Sequence, residues 1–264
     1  MRARDLQSAD DVAILGTELL GVDPARAAGV VHALASWVDA GGNRFALRIH
    51  AATPHSDTDS FLLNLARARA EAIVTTGAIL REEPGVTHAL QGPGHGPEAL
   101  AAWRRDVVGL HEPPILLVLS SGRRIDPEHP AFRAPVRPVL FVPEAAAPAL
   151  EAAFRPSARV AASAQTSARS AVDWLWREGI ARITVEAGPG AAAALYRRPC
   201  EIDELWRSTY LEHELLREVI GPAVARDVEL ARDFSTVTGG SVVQEASGAW
   251  KFERWARPSA PSIA

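Results

Sequence analysis

The sequence predicts a three-layer α/β fold: helices on both faces of an open, mostly parallel central sheet that ends in antiparallel strands. Three observations lead there. Short apolar runs ("AIVTTG", "PPILLVLSSG", "PVLFVPE", "ARITVEAG") are interspersed with stretches of helical spacing, the pattern of a parallel sheet buried on both faces. Near the C-terminus the helical stretches stop, and "DELWRSTYLE", "FSTVTGGSVVQEA" and "AWKFERWARP" read as strands joined by turns at "TGGS" and "ASGA". The composition, 47% hydrophobic and 23% charged over 264 residues, is that of a globular chain able to bury a large core.

Taken in order, residues 5–38 show helical spacing twice, with Val12, Leu15, Leu19 and Leu20, then Val30, Val31, Leu34 and Trp37, on either side of "GVDPARAAG". This predicts an N-terminal helical extension over 1–42, ahead of a main domain over 43–257 and a disordered tail over 258–264. "GGNRFALRIHAA" reads as a turn and a strand in which Phe45, Leu47 and Ile49 alternate with Arg44, Arg48 and His50. "DSFLLNLARARAEA" reads as a helix capped by Asp59 or Ser60, "REEPGVTHALQGPGHGP" as a long loop, and "TSARSAVDWLWREG" as a helix ending at Gly179. Trp174 and Trp176, two apart on that helix, face different sides. With Trp250 and Trp255 on the last strand, they are expected in core or dimer packing.

Several function classes are disfavoured by composition. No apolar run approaches the ~20 residues of a membrane-spanning helix, and acids occupy the place of a leader's apolar stretch, so a cytoplasmic protein is expected. Cys200 is the only cysteine, which excludes an intrachain disulfide and multi-cysteine zinc patterns and suits a buried or loop thiol. Lys251 is the only lysine, the formal charge is −4, and no basic block stands out, so nucleic acid is not an expected partner. His50, His55, His88 and His95 lack ligand spacing, and no metal is expected.

The segment most suggestive of chemistry is "ITVEAGPGAAAAL", residues 183–195. A strand end delivers Glu186, Gly188 and Gly190 lack side chains, and Pro189 suits the first turn of a helix whose N–H groups and dipole favour a phosphate. Ordinary strand–helix connections share this composition, and the G-x-G-x-x-G fingerprint is absent.

Four short matches, carried by three segments, resemble in their order a known family. "LARARAEAIVTTGAILREEPG", the strand "TVEAGPGAAAAL" and "EIDELWRSTYLE" match, in the same order, segments of the reductase domain of the bifunctional riboflavin-biosynthesis deaminase-reductases, a dihydrofolate-reductase-like group. The likeness covers about residues 43–257. It implies an NADPH-dependent reductase of a small heterocyclic or carbonyl/imine substrate, such as a pyrimidine ribosylamine phosphate, acting as a homodimer. It places Thr75, Thr76 and Gly77 beside the cofactor and Ser120, Ser121 and Arg123 at its adenosine ribose and 2′-phosphate. Glu186, Ala187, Gly188, Pro189 and Gly190 fall at its pyrophosphate and nicotinamide. Hydroxyls and an arginine after a parallel strand suit such a polyanion.

Two departures stand out. The family's first strand ends in Ser-x-Asp-Gly near the substrate. The segment taken to correspond, "AATPHSDTDS", offers Thr53, His55, Ser56, Asp57 and Asp59, so Thr53, His55 and Ser56 are the expected substrate contacts. The family's Gly-Gly pair is Ala187-Gly188 here. Since hydride transfer needs positioning and a proton source, His55 and Asp57 are the expected acids, with Glu186 as a further catalytic or structural carboxylate. No deaminase half is expected, because one cysteine cannot supply its zinc site. A catalytically silent nucleotide-binding protein and an α/β interaction module are the rival readings.

Overall fold

The computed structural model describes residues 1–27, 29–48, 50–123, 125–133 and 135–258. Its strands are β1 (Gly29–Val38), β2 (Arg44–Leu47), β3 (Ala72–Thr76), β4 (Ile115–Leu119), β5 (Arg137–Pro143), β6 (Arg159–Ser163), β7 (Arg182–Val185), β8 (Glu204–Tyr210), β9 (Ile220–Ala223), β10 (Thr236–Glu245) and β11 (Gly248–Ala256). Its helices are α1 (Ala9–Leu20), α2 (Asp57–Ala68), α3 (Gly77–Glu82), α4 (Gly96–Asp106), α5 (Ala147–Phe154), α6 (Ala168–Arg177), α7 (Pro189–Tyr196) and α8 (Asp227–Leu230). The strands form one sheet in the order β10-β11-β8-β1-β7-β3-β4-β5-β6, with β2 on β1 and β9 on β2. β8, β1, β7, β3, β4, β5 and β6 run parallel, and the pairings of β11, β10, β2 and β9 are antiparallel. This is the expected fold.

Half of the expected N-terminal helical extension is corrected. The first helix forms as α1, closed by a reciprocal cap in which Ser8 Oγ accepts the Asp11 N–H and the Asp11 carboxylate accepts the Ser8 N–H. The second is strand β1, which lies between β7 and β8. A strand walled on both faces loses the alternation that marks half-buried strands, so the spacing of Val30, Val31, Leu34 and Trp37 imitates a helix. Val30 faces one core and Val31 the other.

Those two cores define the layers. In the parallel register Val31, Thr184 and Ile73 stand side by side and share a face. That face carries α1, α2 and α4 over Val31 and Trp37, and α3 and α5 over Ile73, Leu116 and Leu140. The opposite face carries α6, α7 and α8 over Val30, Val74, Leu117 and Leu205. Buried aliphatic surface of this kind stabilises by ~25 cal/mol per Å² removed from water.

Smaller corrections arise from local chemistry. The cap of α2 is Ser56, whose Oγ accepts the Asp59 N–H, rather than Asp59 or Ser60. The expected loop ends inside "GHGP", where Gly96 opens α4. "TGGS" lies within β10 as a bulge between Gly239 and Ser241, and the hairpin turn comes after Glu245. Trp250 and Trp255 are core residues, Trp174 packs on Phe141, and Trp176 is exposed. Ile49 and residues 259–264 of the expected tail lie outside the described residues.

Candidate active site

Strands β3, β4 and β7 end at one edge of the sheet, and the residues just beyond each of them are small and polar. After β3, Thr76 caps α3 and its Oγ1 accepts the Ile79 N–H at 3.3 Å. After β4, Ser120 Oγ accepts the Gly122 N–H at 3.2 Å. After β7, Gly188 caps α7 and Pro189 fills its first turn, where a missing N–H costs nothing. Between these ends lies a cavity of ≈ 410 Å³ whose lining includes Thr76, Gly77, Arg81, Ser120, Ser167 and Gly190. Ser167 is the cap of α6, so the N-terminal ends of α3, α6 and α7 all border the same space. Each end carries partial positive charge and unpaired N–H groups, an arrangement that suits a polyanion.

The glycines sort by what surrounds them. A Cβ at Gly77 would meet Ile125 Cδ1 at 2.8 Å, so the end of that side chain would have to shift to admit one. At Gly188 and Gly190 a Cβ would meet nothing within 4 Å, and neither has a positive φ. Nothing in the fold forbids side chains at these two positions; the room they leave is open to a ligand.

The sequence-derived cofactor set divides accordingly. Thr76, Gly77, Ser120, Ser121 and Gly190 line the cavity. Thr75 is buried behind it, its Oγ1 donating to the Glu186 carbonyl at 3.4 Å. Ala187 is also buried, and its carbonyl accepts from His32 Nε2 at 3.3 Å. Gly188 is exposed at the turn, and Pro189 lines a different cavity on the far side of α7. Arg123 is exposed and does not line the cavity, and Arg124 lies outside the described residues. Arg81 lines it instead. The sequence signal for Arg81 was its place one helical turn after the Gly77 helix start.

Beneath the turn, Glu186 is committed to Arg67 of α2. Arg67 Nε and Nη2 each donate to one of its carboxylate oxygens at 2.7 Å, with the two side chains 7% and 8% exposed. Burial pushes the Glu186 carboxyl up, yet the charge and hydrogen bonds of Arg67 carry it below the usual range. His88 Nε2 stands 3.1 Å from Thr75 Oγ1 and 3.9 Å from Glu186, and burial pushes this imidazole down to about 4, so it is neutral. Glu83, half-buried beside the pair, is pushed up by burial. Sequence reasoning selected Glu186 and missed Arg67, whose partner lies 119 residues away.

The expected substrate residues gather at the N-terminal end of α2. His55 Nε2 and Asp57 Oδ1 are 3.0 Å apart, with the imidazole 76% exposed, and Arg4 reaches the other Asp57 oxygen at 3.4 Å. Ser56 is engaged as the cap, and Thr53 Oγ1 donates to the Arg48 carbonyl. Glu245 accepts the Asp57 and Thr58 N–H groups at 3.0 Å each, fastening this helix end to the β10–β11 hairpin. None of Thr53, His55, Ser56 and Asp57 lines either cavity described here. Because the first strand is β1, the segment at its end is Ser36–Gly41, "SWVDAG", which sequence reasoning passed over. Ser36 Oγ donates to the Ser208 carbonyl at 3.1 Å, and the Asp39 carboxylate accepts from the Gly41 and Asn43 backbones and from Asn43 Nδ2. No group of three or more potential metal ligands occurs among the described residues.

No protein-family model and no curated protein sequence matches the chain. Solved structures do. A pyrimidine reductase-like protein from Corynebacterium diphtheriae superposes with a TM-score of 0.58 at 19% identity, covering 88% of this chain and 93% of that one. RibD from Acinetobacter baumannii gives 0.60 at 13% identity, covering 88% of this chain and 58% of its own. A Thermotoga maritima diaminohydroxyphosphoribosylaminopyrimidine deaminase/5-amino-6-(5-phosphoribosylamino)uracil reductase gives 0.55 at 16% identity, covering 87% and 56%. The chain thus spans just over half the length of these last two. At such identities the likeness fixes architecture alone: this chain has the fold of the riboflavin-biosynthesis reductases.

Proposed function

We propose that the chain is an NADPH-dependent reductase acting on a small heterocyclic or carbonyl/imine substrate. The observation that carries this reading is the convergence of three helix N-termini on one cavity, beside glycines whose missing side chains the fold does not require. The residues present fit a dinucleotide. Gly188 and Gly190 would admit a diphosphate to the first turn of α7, Thr76 and Gly77 would hold it from α3, and Ser120 and Ser121 would reach a ribose. Arg81, in the cavity lining, would supply the charge for a 2′-phosphate, the role sequence reasoning gave to Arg123. NADPH supplies the hydride when bound.

The chain's own groups then have separate tasks. The buried Arg67–Glu186 pair ties the turn between β7 and α7 to α2, the helix that precedes β3. An ionised Glu186 positions and does not donate a proton. Proton delivery is assigned to the His55–Asp57 pair, which is hydrogen-bonded and open to solvent. A homodimer is the assembly we propose, by analogy of fold.

Fluorescence titration of the full chain with NADPH and NADH tests this reading. Saturable binding with NADPH favoured by ~10- to 100-fold is expected, the worth of a charged hydrogen bond. Absence of saturable binding to folded protein refutes it.

A further inference from the structure

On the far side of α7 from the cofactor cavity, a second cavity of ≈ 280 Å³ lies over β1 and β8 and under the β9–α8 segment. The two share no lining residue: Gly190, Ala191 and Ala194 of α7 face the first, Pro189, Ala193 and Tyr196 the second. The second cavity plays no part in the proposed reduction. Leu34, Leu205 and Leu230 give it apolar walls. Its size falls just below the ~300–1,000 Å³ of most ligand pockets and suits a molecule of one ring.

Its polar floor is unusual. Arg44 and Arg207 both line it, with side chains only 9% and 1% exposed. Arg44 Nη1 donates to Ser36 Oγ and Thr209 Oγ1, and Nη2 donates to Asp227 Oδ1 at 3.1 Å. Arg207 donates to Asp227 Oδ1 and to Glu253 Oε2, each at 2.7 Å, and lies over the Trp255 ring at 4.9 Å. Lys251 Nζ completes the cluster, 2.8 Å from the other Glu253 oxygen. Glu229, also in the lining, is paired with Arg226. The two lining arginines share Asp227 and Glu253, and Lys251, outside the lining, adds a third cation to that cluster. The Nε of both Arg44 and Arg207 is buried and has no hydrogen-bond acceptor among the protein's own groups.

The remaining polar groups add no charge. A carbonyl can only accept, so His32 Nε2 carries the proton it donates to Ala187, and His32 Nδ1 accepts from the Tyr196 hydroxyl at 2.7 Å. Burial pushes this imidazole down to about 4 and keeps it neutral.

We propose that this cavity is a second binding site, for a small monocarboxylate with an apolar, ring-sized body whose carboxylate meets the Arg44–Arg207 floor. The β9–α8 segment forms its roof, and Asp227, which both arginines bind, ties that roof to the floor.

Benzoate is the probe, with benzamide as the neutral isostere, titrated into the full chain without any dinucleotide and followed by tryptophan fluorescence and thermal unfolding. Saturable binding of benzoate is expected, with benzamide at least ~10-fold weaker, as for a lost charged hydrogen bond. Ala193→Trp fills the cavity from an exposed helix position without touching the charges, and should abolish benzoate binding in a protein that unfolds at the parent temperature. Arg207→Met, if it folds, should remove the preference for benzoate over benzamide. No saturable benzoate binding, equal binding of the two probes, or unchanged binding in Ala193→Trp overturns the proposal. These readouts do not depend on NADPH, so failure here leaves the reductase reading untouched, and the reverse holds too.

Discussion

Replacing Arg67 by Met isolates the buried pair on which the cofactor turn is proposed to rest. Two charge-assisted hydrogen bonds of 2.7 Å are lost, and the Glu186 carboxylate, 8% exposed, is left without its cation. Breaking a buried pair from one side costs about 3–5 kcal/mol, because the uncompensated charge stays behind. The pH dependence has a definite sign. In the parent the folded pKa of Glu186 is depressed, so its stabilisation is present above the unfolded value of ~4.3 and is lost as pH falls through the folded pKa. In Arg67→Met the neighbouring cation is gone, and burial raises the folded pKa of the carboxyl. The variant's deficit should therefore be largest near neutral pH and shrink as the medium is acidified toward ~4. Urea unfolding at several pH values measures this, and Arg67→Met combined with Glu186→Leu should recover most of the loss. A deficit under ~1 kcal/mol, the scale of an exposed pair, or one that does not change with pH, would refute the argument.

Three further outcomes are expected. Gly190→Val should weaken NADPH binding by ~10-fold or more, as for a lost charged hydrogen bond, while the unfolding midpoint does not fall; titration alongside urea unfolding checks both. Arg81→Ala should reduce the preference for NADPH over NADH by ~10- to 100-fold, and Arg123→Ala should leave it unchanged, as competitive titration of the two dinucleotides would report. Once a substrate is in hand, His55→Ala and Asp57→Asn should each lower single-turnover oxidation of NADPH by ~10²–10⁴-fold without altering NADPH affinity, and parent-like rates in both would end that assignment.

How legible each element was in the sequence depends on how it is buried. β3, β4 and β7 were legible because β-branched and aliphatic runs bounded by Gly and Pro fit strands and little else. β1 was not, since burial on both faces removed its alternation. That error displaced the search for the first strand's end from "SWVDAG" to the start of α2. β2 was recognised with its phase inverted: Arg44 is buried, because a polar cluster rather than water receives its guanidinium. The cavity-lining Thr76, Gly77, Ser120, Ser121 and Gly190 were legible because strand–turn–helix composition is local. The Arg67–Glu186 pair and the Arg44–Arg207 floor were not, since each joins residues more than a hundred positions apart or through a shared third group, Asp227.

The sharpest test of the cofactor assignment is a structure of the chain determined with NADPH bound. The diphosphate should lie in the cavity among the N-terminal ends of α3, α6 and α7, against Gly190, with the 2′-phosphate at Arg81. A dinucleotide seated instead over His32 and Arg207 on the far side of α7, or absent from both cavities at saturating concentration, would be incompatible with that assignment.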